Sequence, residues 1–341
     1  MATAVLEKEN VVGEVKTAKE KRDHSQKTRR ITADIVVYLI LTVMAVIWLL
    51  PIVWLVLQSF SGEYGLASQS KFAPALWSGD NYYSLIVNRV RIPDTTKVGE
   101  YTYKASAFNF FASDASGKVV LGGFLQTAII AVFSSIISTL FTLATAYAFS
   151  RLRFKARQPM MRVILILGMF PGFVGLIVLY QIFKILNMGN TIWTLIIIYS
   201  GGAGMGYYIS KGFFDTISKQ IDEAAMIDGA TRFQIFYKIT LPLSKPIVTY
   251  TLLTSFMAPW AEYITASYML TGGAQNNTSG TTTTVAVMLY EMINASEKSL
   301  PTQYWGQFCA GAVLVAIPTS LLFIAMQKNY VSGVTGGAVK G

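Results

Sequence analysis

Few residues of this 341-residue chain carry side chains suited to catalysis or metal binding. The single cysteine, Cys309, lies in an apolar run, and the single histidine, His24, lies in a charged N-terminal region. Neither a cysteine-based metal site nor a serine–histidine pair can be assembled from them. The sequence also lacks a Gly-x-x-x-x-Gly-Lys-Ser/Thr phosphate loop. It therefore predicts no catalytic residues, no metal ligands and no cofactor bound by this chain.

The most informative polar segment lies between two long apolar ones. It begins with Glu-Ala-Ala at 223–225, and Gly229 follows after a gap of three residues. After a further gap of nine residues comes Ile239, and after one more residue come Leu241 and Pro242. The small side chains of Ala224 and Ala225 let another surface come close. Residues of this type suit contact with a partner protein and the transmission of force, rather than bond chemistry.

Local signals within this segment predict a helix–turn–helix. Acidic residues in the first turn favour a helix over 222–227, and Gly229 can take the left-handed conformation that ends it. Thr231 with Gln234 forms the pattern of a capping box, which predicts a second helix over 232–239. Pro242 is expected to close that helix and lead into the next apolar segment.

The composition indicates that the predicted helix–turn–helix belongs to a membrane protein. Apolar residues make up 53% of the chain and charged residues only 13%, whereas about a quarter of the residues of soluble domains are charged. The net charge of +10 is concentrated beside apolar segments, where basic residues set topology. A nucleic-acid partner, which would call for a basic face on a soluble domain, is not expected.

Six apolar segments are long enough to cross a bilayer, which takes about 20 residues each. The predicted fold class is therefore an all-α membrane protein with six transmembrane helices. Its parts are an N-terminal tail (1–34, expected to be disordered), the first span (35–60), an extracytoplasmic loop (61–122), a five-helix core (123–327) containing the coupling loop 215–246, and a C-terminal tail (328–341). The core spans are 123–150, 163–186, 191–214, 247–270 and 306–327.

The distribution of lysine and arginine predicts the orientation. On one side of the membrane, segment 1–34 carries eight basic residues and segment 151–162 carries five. The coupling loop, counted from Lys211, carries five more, and segment 328–341 carries two. On the other side there are none at 187–190 and one at 271–305. Cytoplasmic loops are the basic ones. Both termini and the coupling loop are therefore predicted to be cytoplasmic, and kinks are expected at Pro171-Gly172, Pro259 and Pro318.

Several segments together resemble one transporter family. The coupling loop is similar to the signature loop of ABC importer permeases. The resemblance of the chain to this family extends over roughly residues 35–341. The other matching segments are Ala-Tyr-Ala-Phe-Ser-Arg-Leu-Arg-Phe at 146–154, Met-Phe-Pro at 169–171, Lys-Gly-Phe-Phe at 211–214 and the tail from Asn329 to Gly341. The chain is identified as resembling carbohydrate importer permeases, most closely the MalG-type subunit of maltose/maltodextrin importers.

This resemblance implies a type I ABC importer permease fold in the bacterial cytoplasmic membrane. It also implies a MalF-type permease partner, an ATPase homodimer of the MalK/MsmX type that uses ATP and Mg, and an extracytoplasmic sugar-binding protein. The implied ATPase contacts are Glu223, Ala224, Ala225, Gly229, Ile239, Leu241 and Pro242, with the tail residues Thr335, Gly337 and Lys340. Substrates other than maltodextrin remain open: arabinogalactan oligomers, lactose, polyols or glycerol phosphate esters.

Glu262 is the one acidic residue inside a predicted span. A lone charge is costly in lipid, so it should face a cavity or a partner. Two hypotheses remain open for it, the translocation path and a subunit interface, and the same alternatives apply to Tyr180, Gln181 and Trp260. A gradient-driven transporter is the alternative class, but such proteins usually place several acids at midmembrane.

Overall fold

The computed structural model describes residues 2–63, 71–93, 101–106, 108–111, 121–169, 172–201, 204–271, 282–294 and 304–336. The chain divides into two units, residues 1–56 and residues 57–341. The described backbone is mainly helical. Within it, three helices are long and apolar enough to cross a bilayer unaided: Ile31–Ser59, Gly123–Arg151 and Trp305–Lys328.

The first helix, α1, runs from Ala2 to Ser59. Its apolar part has a mean hydropathy of 2.7, and none of its most apolar window is buried within the chain. The backbone from Ala2 onward belongs to this helix, and the tail expected over 1–34 stays a prediction. Residues 2–30 contain no proline, a single glycine, and many Ala, Glu and Lys residues, which favour helix. Extending an existing helix is also far easier than starting one.

The second unit contains the other helices. In chain order these are α2 (Asp80–Ile86), α3 (Gly123–Arg151), α4 (Arg157–Gly168), α5 (Gly172–Ile185), α6 (Ile192–Ser200), α7 (Gly204–Asp215), α8 (Lys219–Ile227), α9 (Arg232–Ile235), α10 (Leu241–Leu243), α11 (Lys245–Ala261), α12 (Tyr263–Thr271), α13 (Val285–Asn294) and α14 (Trp305–Gly336). A π-helical turn, Phe236–Thr240, connects α9 to α10.

A β-hairpin corrects the prediction of an all-α chain. Strands β1 (Arg89–Pro93) and β2 (Tyr101–Ala105) pair antiparallel, with Arg91 opposite Tyr103. The tyrosine and β-branched residues of these segments favour extended backbone. Each strand has only five residues, so the pattern is too short to stand out within a long polar loop.

Helix α3 is the centre of the second unit and packs against α6, α7 and α11. Its buried face carries small hydroxyl side chains: Ser134, Ser135, Ser138, Thr139 and Thr142. Small residues let helices approach closely in a membrane. Ser255 of α11 donates a hydrogen bond to the Ser138 hydroxyl at 3.2 Å, which joins the two helices.

The first turns of α3 also hold the segment that leads into α13. The Thr283 N–H donates to Gln126 Oε1 at 3.0 Å, and the Val285 N–H donates to Thr127 Oγ1 at 2.8 Å. All four residues are buried or half-buried. These side chains satisfy backbone groups that would otherwise be costly to bury.

Three of the predicted spans contain breaks. The third is divided into α4 and α5, which meet at an angle of 100°. This break falls at the predicted kink, although Phe170 and Pro171 themselves lie outside the described residues. The fourth, predicted as one helix, is divided into α6 and α7 after Gly201. The glycines of the 201–206 run lower the stability of continuous helix there.

The fifth predicted span breaks at Glu262, between α11 and α12, where the backbone is extended (φ −88°, ψ 109°). The kink expected at Pro259 is thus found three residues further on. Proline has no N–H for the helical ladder, which weakens the turn that contains it. In contrast, α14 continues through Pro318 without a break.

The described residues between α1 and α3 pack within the second unit. Leu85, Val90 and Phe110 share a buried cluster with Trp260 and Met288. Asn81 Nδ2 donates to the carbonyl oxygens of Ser59 and Ser61, at 3.0 and 2.9 Å.

Gly306, in the first turn of α14, lies against Asn81. A Cβ atom at Gly306 would stand 2.3 Å from Asn81 Oδ1. Asn81 therefore links the last residues of α1 to the first turn of α14.

We expect Gly306→Ala to destabilise the folded chain by about 1–3 kcal/mol, because the methyl group displaces Asn81 from its two hydrogen bonds. The thermal midpoint of the detergent-solubilised protein measures this. Gly175→Ala is the control, since a Cβ there meets nothing within 4 Å. Equal midpoints for the two variants would show that the contact between Gly306 and Asn81 does not matter.

Candidate functional site

Helix α8 begins the predicted hairpin. It starts at Lys219, three residues before the predicted start, because Ser218 serves as its N-cap and accepts a hydrogen bond from the Gln220 N–H at 3.3 Å. Serine is a favoured N-cap residue. Asp222 lies in the first turn, where its charge complements the helix dipole.

The turn after α8 depends on Gly229, as the sequence predicts. Gly229 has a φ of +83°, a conformation that glycine adopts without steric cost. The Ala230 N–H donates to the Ala225 carbonyl at 2.9 Å, and the Gly229 N–H donates to the Met226 carbonyl at 3.1 Å. These bonds satisfy the last carbonyls of α8 and turn the chain sharply.

The second helix of the hairpin begins with the predicted capping box. The Thr231 N–H donates to Gln234 Oε1 at 2.8 Å, and the Gln234 N–H donates to Thr231 Oγ1 at 3.3 Å. The predicted helix over 232–239 is corrected, since α9 ends at Ile235 and a π-helical turn follows. Pro242 opens α10 instead of ending the hairpin. The π turn shifts the hydrogen-bond register before a residue that has no N–H to donate.

An ion pair attaches the hairpin to the end of α3. Arg151 Nε lies 2.8 Å from Asp222 Oδ2, and the two side chains are only 3% and 12% exposed. Arg151 Nη2 also donates to the Ile217 carbonyl at 2.9 Å. A second link comes from the Tyr147 hydroxyl, which donates to the Arg232 carbonyl at 3.4 Å. Both arms of the hairpin are therefore held by α3.

Asp215, at the end of α7, forms a neighbouring polar contact with α3. It accepts a hydrogen bond from the Ser150 hydroxyl at 2.6 Å and pairs with Lys211. Burial alone would raise the pKa of Asp215, but the bonds from Lys211 and Ser150 outweigh it and lower the pKa below its ordinary value. The stabilisation by this carboxylate is therefore complete above about pH 4 and disappears as the pH falls through the lower native pKa.

The outer surface of the hairpin is apolar. Ile227 is 87% exposed and Phe233 is 72% exposed, and neither belongs to a buried apolar cluster of the described residues. Met226 and Tyr237 are exposed as well. Exposed apolar side chains of this size are typical of surfaces that bind another protein.

The predicted contact residues are distributed over both surfaces of the hairpin. Glu223, Ala224, Gly229 and Pro242 are exposed, and Ile239 and Leu241 are half-buried. Ala225 is only 8% exposed, so its small side chain serves the packing of α8 within the chain. Thr335 lies in the last turns of α14, whereas Gly337 and Lys340 lie outside the described residues.

The residues predicted to line the translocation path or a subunit interface are not part of the hairpin. Glu262 and Tyr180 are half-buried and Gln181 is exposed. Trp260 is buried beside Phe124, with ring centroids 5.2 Å apart, and belongs to the outer apolar cluster. In the described ranges, no three His, Cys, Asp or Glu residues are grouped so as to hold a metal ion.

Sequence reasoning missed two features of the site. The pairing of Arg151 with Asp222 joins residues far apart in the sequence, although both belong to segments singled out for other reasons. The exposed Ile227 and Phe233 have a local signal, since large apolar residues in a polar loop are unusual.

A family model matches residues 138–335, which is more than half of the chain and includes the hairpin. The model describes the inner membrane component of binding-protein-dependent transport systems. The chain belongs to this family. The family expected from the signature loop is thus confirmed, together with a location in the cell membrane.

Curated relatives of this transport component are similar over most of their length. The galactooligosaccharides transport system permease protein GanQ of Bacillus subtilis is 34% identical over 316 residues, covering 92% of this chain and 98% of the relative. The maltodextrin transport system permease protein MalD of Streptococcus pneumoniae is 38% identical over 219 residues, covering 64% of this chain and 74% of the relative.

A solved structure supports the fold of the transport component. It is a bacterial ABC transporter involved in the import of the acidic polysaccharide alginate, with a TM-score of 0.62 and 21% identity. The match covers 86% of this chain and 95% of that chain. The likeness shows that the two chains share a fold.

We expect Arg151→Met to release the hairpin from α3. The substitution leaves the Asp222 carboxylate buried without its cation, which costs about 3–5 kcal/mol. Hydrogen exchange of the backbone amides of 217–235, measured by mass spectrometry, should accelerate by about 100-fold or more. Arg153→Met is the matched control, because Arg153 is exposed two residues further on. Unchanged exchange in Arg151→Met would refute the role of the ion pair.

Proposed function

We propose that this chain is the permease subunit of an ATP-driven ABC importer for maltodextrin or a related oligosaccharide. The family match and the names of the relatives support this function. The single observation that carries the mechanism is the rigid hairpin with an apolar outer surface, attached to the central helix through the pair of Arg151 and Asp222. A chain without a phosphate loop depends on a separate ATPase, and this surface is where the ATPase would bind.

The hairpin surface suits a cleft in the ATPase. Ile227 and Phe233 supply apolar anchors, Glu223 supplies a polar contact, and Ala224 permits close approach. Desolvated anchors of this size dominate the affinity of protein interfaces. Motion of the ATPase would then act on α3 through the ion pair and through the Tyr147 hydroxyl, which contacts the Arg232 carbonyl. In this way closure of an ATPase dimer would drive alternation between inward- and outward-facing states.

The proposed topology has six membrane crossings. These are α1, α3, α4 with α5, α6 with α7, α11 with α12, and α14. The basic residues of the short segments support cytoplasmic termini and a cytoplasmic hairpin. The three broken crossings agree with a transporter, because interrupted helices are tolerated where they face protein or a water-filled cavity.

The complex that we propose contains four further chains. A MalF-type permease completes the membrane path, two ATPase copies of the MalK/MsmX type bind below, and an extracytoplasmic sugar-binding protein delivers the substrate. The tail with Thr335, Gly337 and Lys340 is proposed to reach the ATPase interface. ATP and Mg would be held by the ATPase copies, and this chain would bind neither.

A pull-down of the tagged chain from its own host, in mild detergent, tests the assembly. Mass spectrometry should identify a homologous permease and a P-loop ATPase at two copies per complex. ATP hydrolysis by the reconstituted complex should rise when a maltodextrin-loaded or galactooligosaccharide-loaded binding protein is added. Recovery of the chain alone or as a homo-oligomer would contradict the proposal and favour a gradient-driven transporter.

The hairpin turn gives a second test. Gly229→Val should abolish sugar-stimulated ATP hydrolysis, because a β-branched residue is strongly disfavoured at a φ of +83°. Gly229→Asn is the matched control, since asparagine tolerates this conformation, and it should retain most of the activity. A Cβ at this position meets nothing within 4 Å, so any difference between the variants reports the backbone conformation. Full coupling in Gly229→Val would exclude the turn as part of the ATPase contact.

A further inference from the structure

The break at Glu262 lies in the middle of the fifth proposed crossing, between α11 and α12. Non-helical backbone at this depth is tolerated only where it is enclosed by protein or faces water. Interrupted crossings also mark substrate sites in many transporters. The break is thus a place where a polar solute can meet this chain, provided that the proposed transport function is correct.

The carboxylate at the break retains free hydrogen-bonding capacity. Glu262 Oε1 accepts a hydrogen bond from the Thr265 hydroxyl, and the Tyr199 hydroxyl faces the same carboxylate without a hydrogen bond of standard geometry. In the part of the chain that the structure describes, no lysine, arginine or histidine pairs with Glu262. An ionised carboxylate has about four acceptor positions, and the described residues occupy few of them.

A pair of stacked aromatic rings begins at the residue after Glu262. Tyr263, the next residue, stacks on Tyr290 of α13 with ring centroids 3.9 Å apart and planes 29° apart. The Tyr290 side chain is 46% exposed. Aromatic faces receive the C–H face of a sugar ring, while a nearby carboxylate accepts hydrogen bonds from sugar hydroxyls. Binding sites commonly combine aromatic walls with a few polar groups in this way.

We propose that Tyr199, Glu262, Tyr263, Thr265 and Tyr290, the Glu262 cluster, form a subsite for a neutral sugar ring on the translocation path. Glu262 accepts hydrogen bonds from two hydroxyls of the sugar, and Tyr290 supports its apolar face. The hydroxyl of Thr265 holds the carboxylate in position. This chain then contributes its own sugar contact instead of leaving recognition to the second permease.

The test uses the complete transporter in lipid nanodiscs, arrested with bound ATP so that sugar is retained. The probes are radiolabelled maltotriose and galactobiose. Glu262→Gln keeps the size of the side chain but removes its charge, and hydrogen bonds to charged groups are the stronger ones. We expect Kd for the bound sugar to rise about tenfold. Tyr290→Ala should also weaken binding, whereas Tyr290→Phe, which keeps the ring, should not.

Glu291→Gln is the control for loss of an acid, since Glu291 lies on α13 outside the cluster. Co-purification of the second permease is measured for every variant. If Glu262→Gln reduces this co-purification and leaves sugar affinity unchanged, Glu262 belongs to a subunit interface and the subsite is refuted. Unchanged affinity with unchanged assembly refutes it as well.

Failure of the subsite is distinguishable from failure of the proposed function. A wild-type complex that binds maltotriose or galactobiose, with Glu262→Gln binding equally well, overturns the subsite alone. A wild-type complex that hydrolyses ATP but binds neither sugar overturns the oligosaccharide assignment and the subsite together.

Discussion

The hairpin of α8 and α9 depends on the buried ion pair between Arg151 and Asp222. Each charge would be costly to bury alone, and each is stabilised by the other only in one relative position of α3 and α8. The additional hydrogen bond from Arg151 to the Ile217 carbonyl fixes the guanidinium further. An otherwise polar hairpin is thereby joined rigidly to the apolar helix at the centre of the second unit, while its apolar tip stays open to a partner.

The central part of the second unit combines one continuous helix with interrupted neighbours. Helix α3 is unbroken over its 29 residues, whereas the α6–α7 and α11–α12 segments that pack beside it break at Gly201 and Glu262. Short hydroxyl side chains on α3 allow close packing without large interlocking groups. The breaks would permit the two halves of each neighbouring segment to move separately. The continuous helix α3 would keep its own two ends connected.

Local signals made part of this structure predictable from sequence. The turn at Gly229, the capping box of Thr231 and Gln234, and the long apolar helices each depend on residues close together in the chain. The start of α8 was missed because the acids at 222–223 obscured Ser218 as the N-cap.

The remaining features arise from tertiary context. The ion pair of Arg151 with Asp222 depends on how α3 and α8 pack together. The shift in the helical hydrogen-bond register before Pro242 depends on how α9 is joined to α11. The break in the fourth span was hidden by apolar composition, which measures how well a segment suits lipid and not whether its helix is continuous. In the fifth span Pro259 predicted a kink, but the break lies at Glu262, three residues further on. The orientation of the chain and the roles assigned to its hairpin and tail residues stay predictions.

Because α3 is attached to other segments at both ends, a tilt of this helix would move one attached segment relative to the other. Gln126 and Thr127 hold the backbone before α13 at one end, and Arg151 holds the hairpin at the other. With a rise of about 1.5 Å per residue, such a helix is about 43 Å long. A tilt of about 5° about one end would move the other end by about 4 Å, by simple geometry on that length. Small angular motions would thus become displacements as large as a side chain.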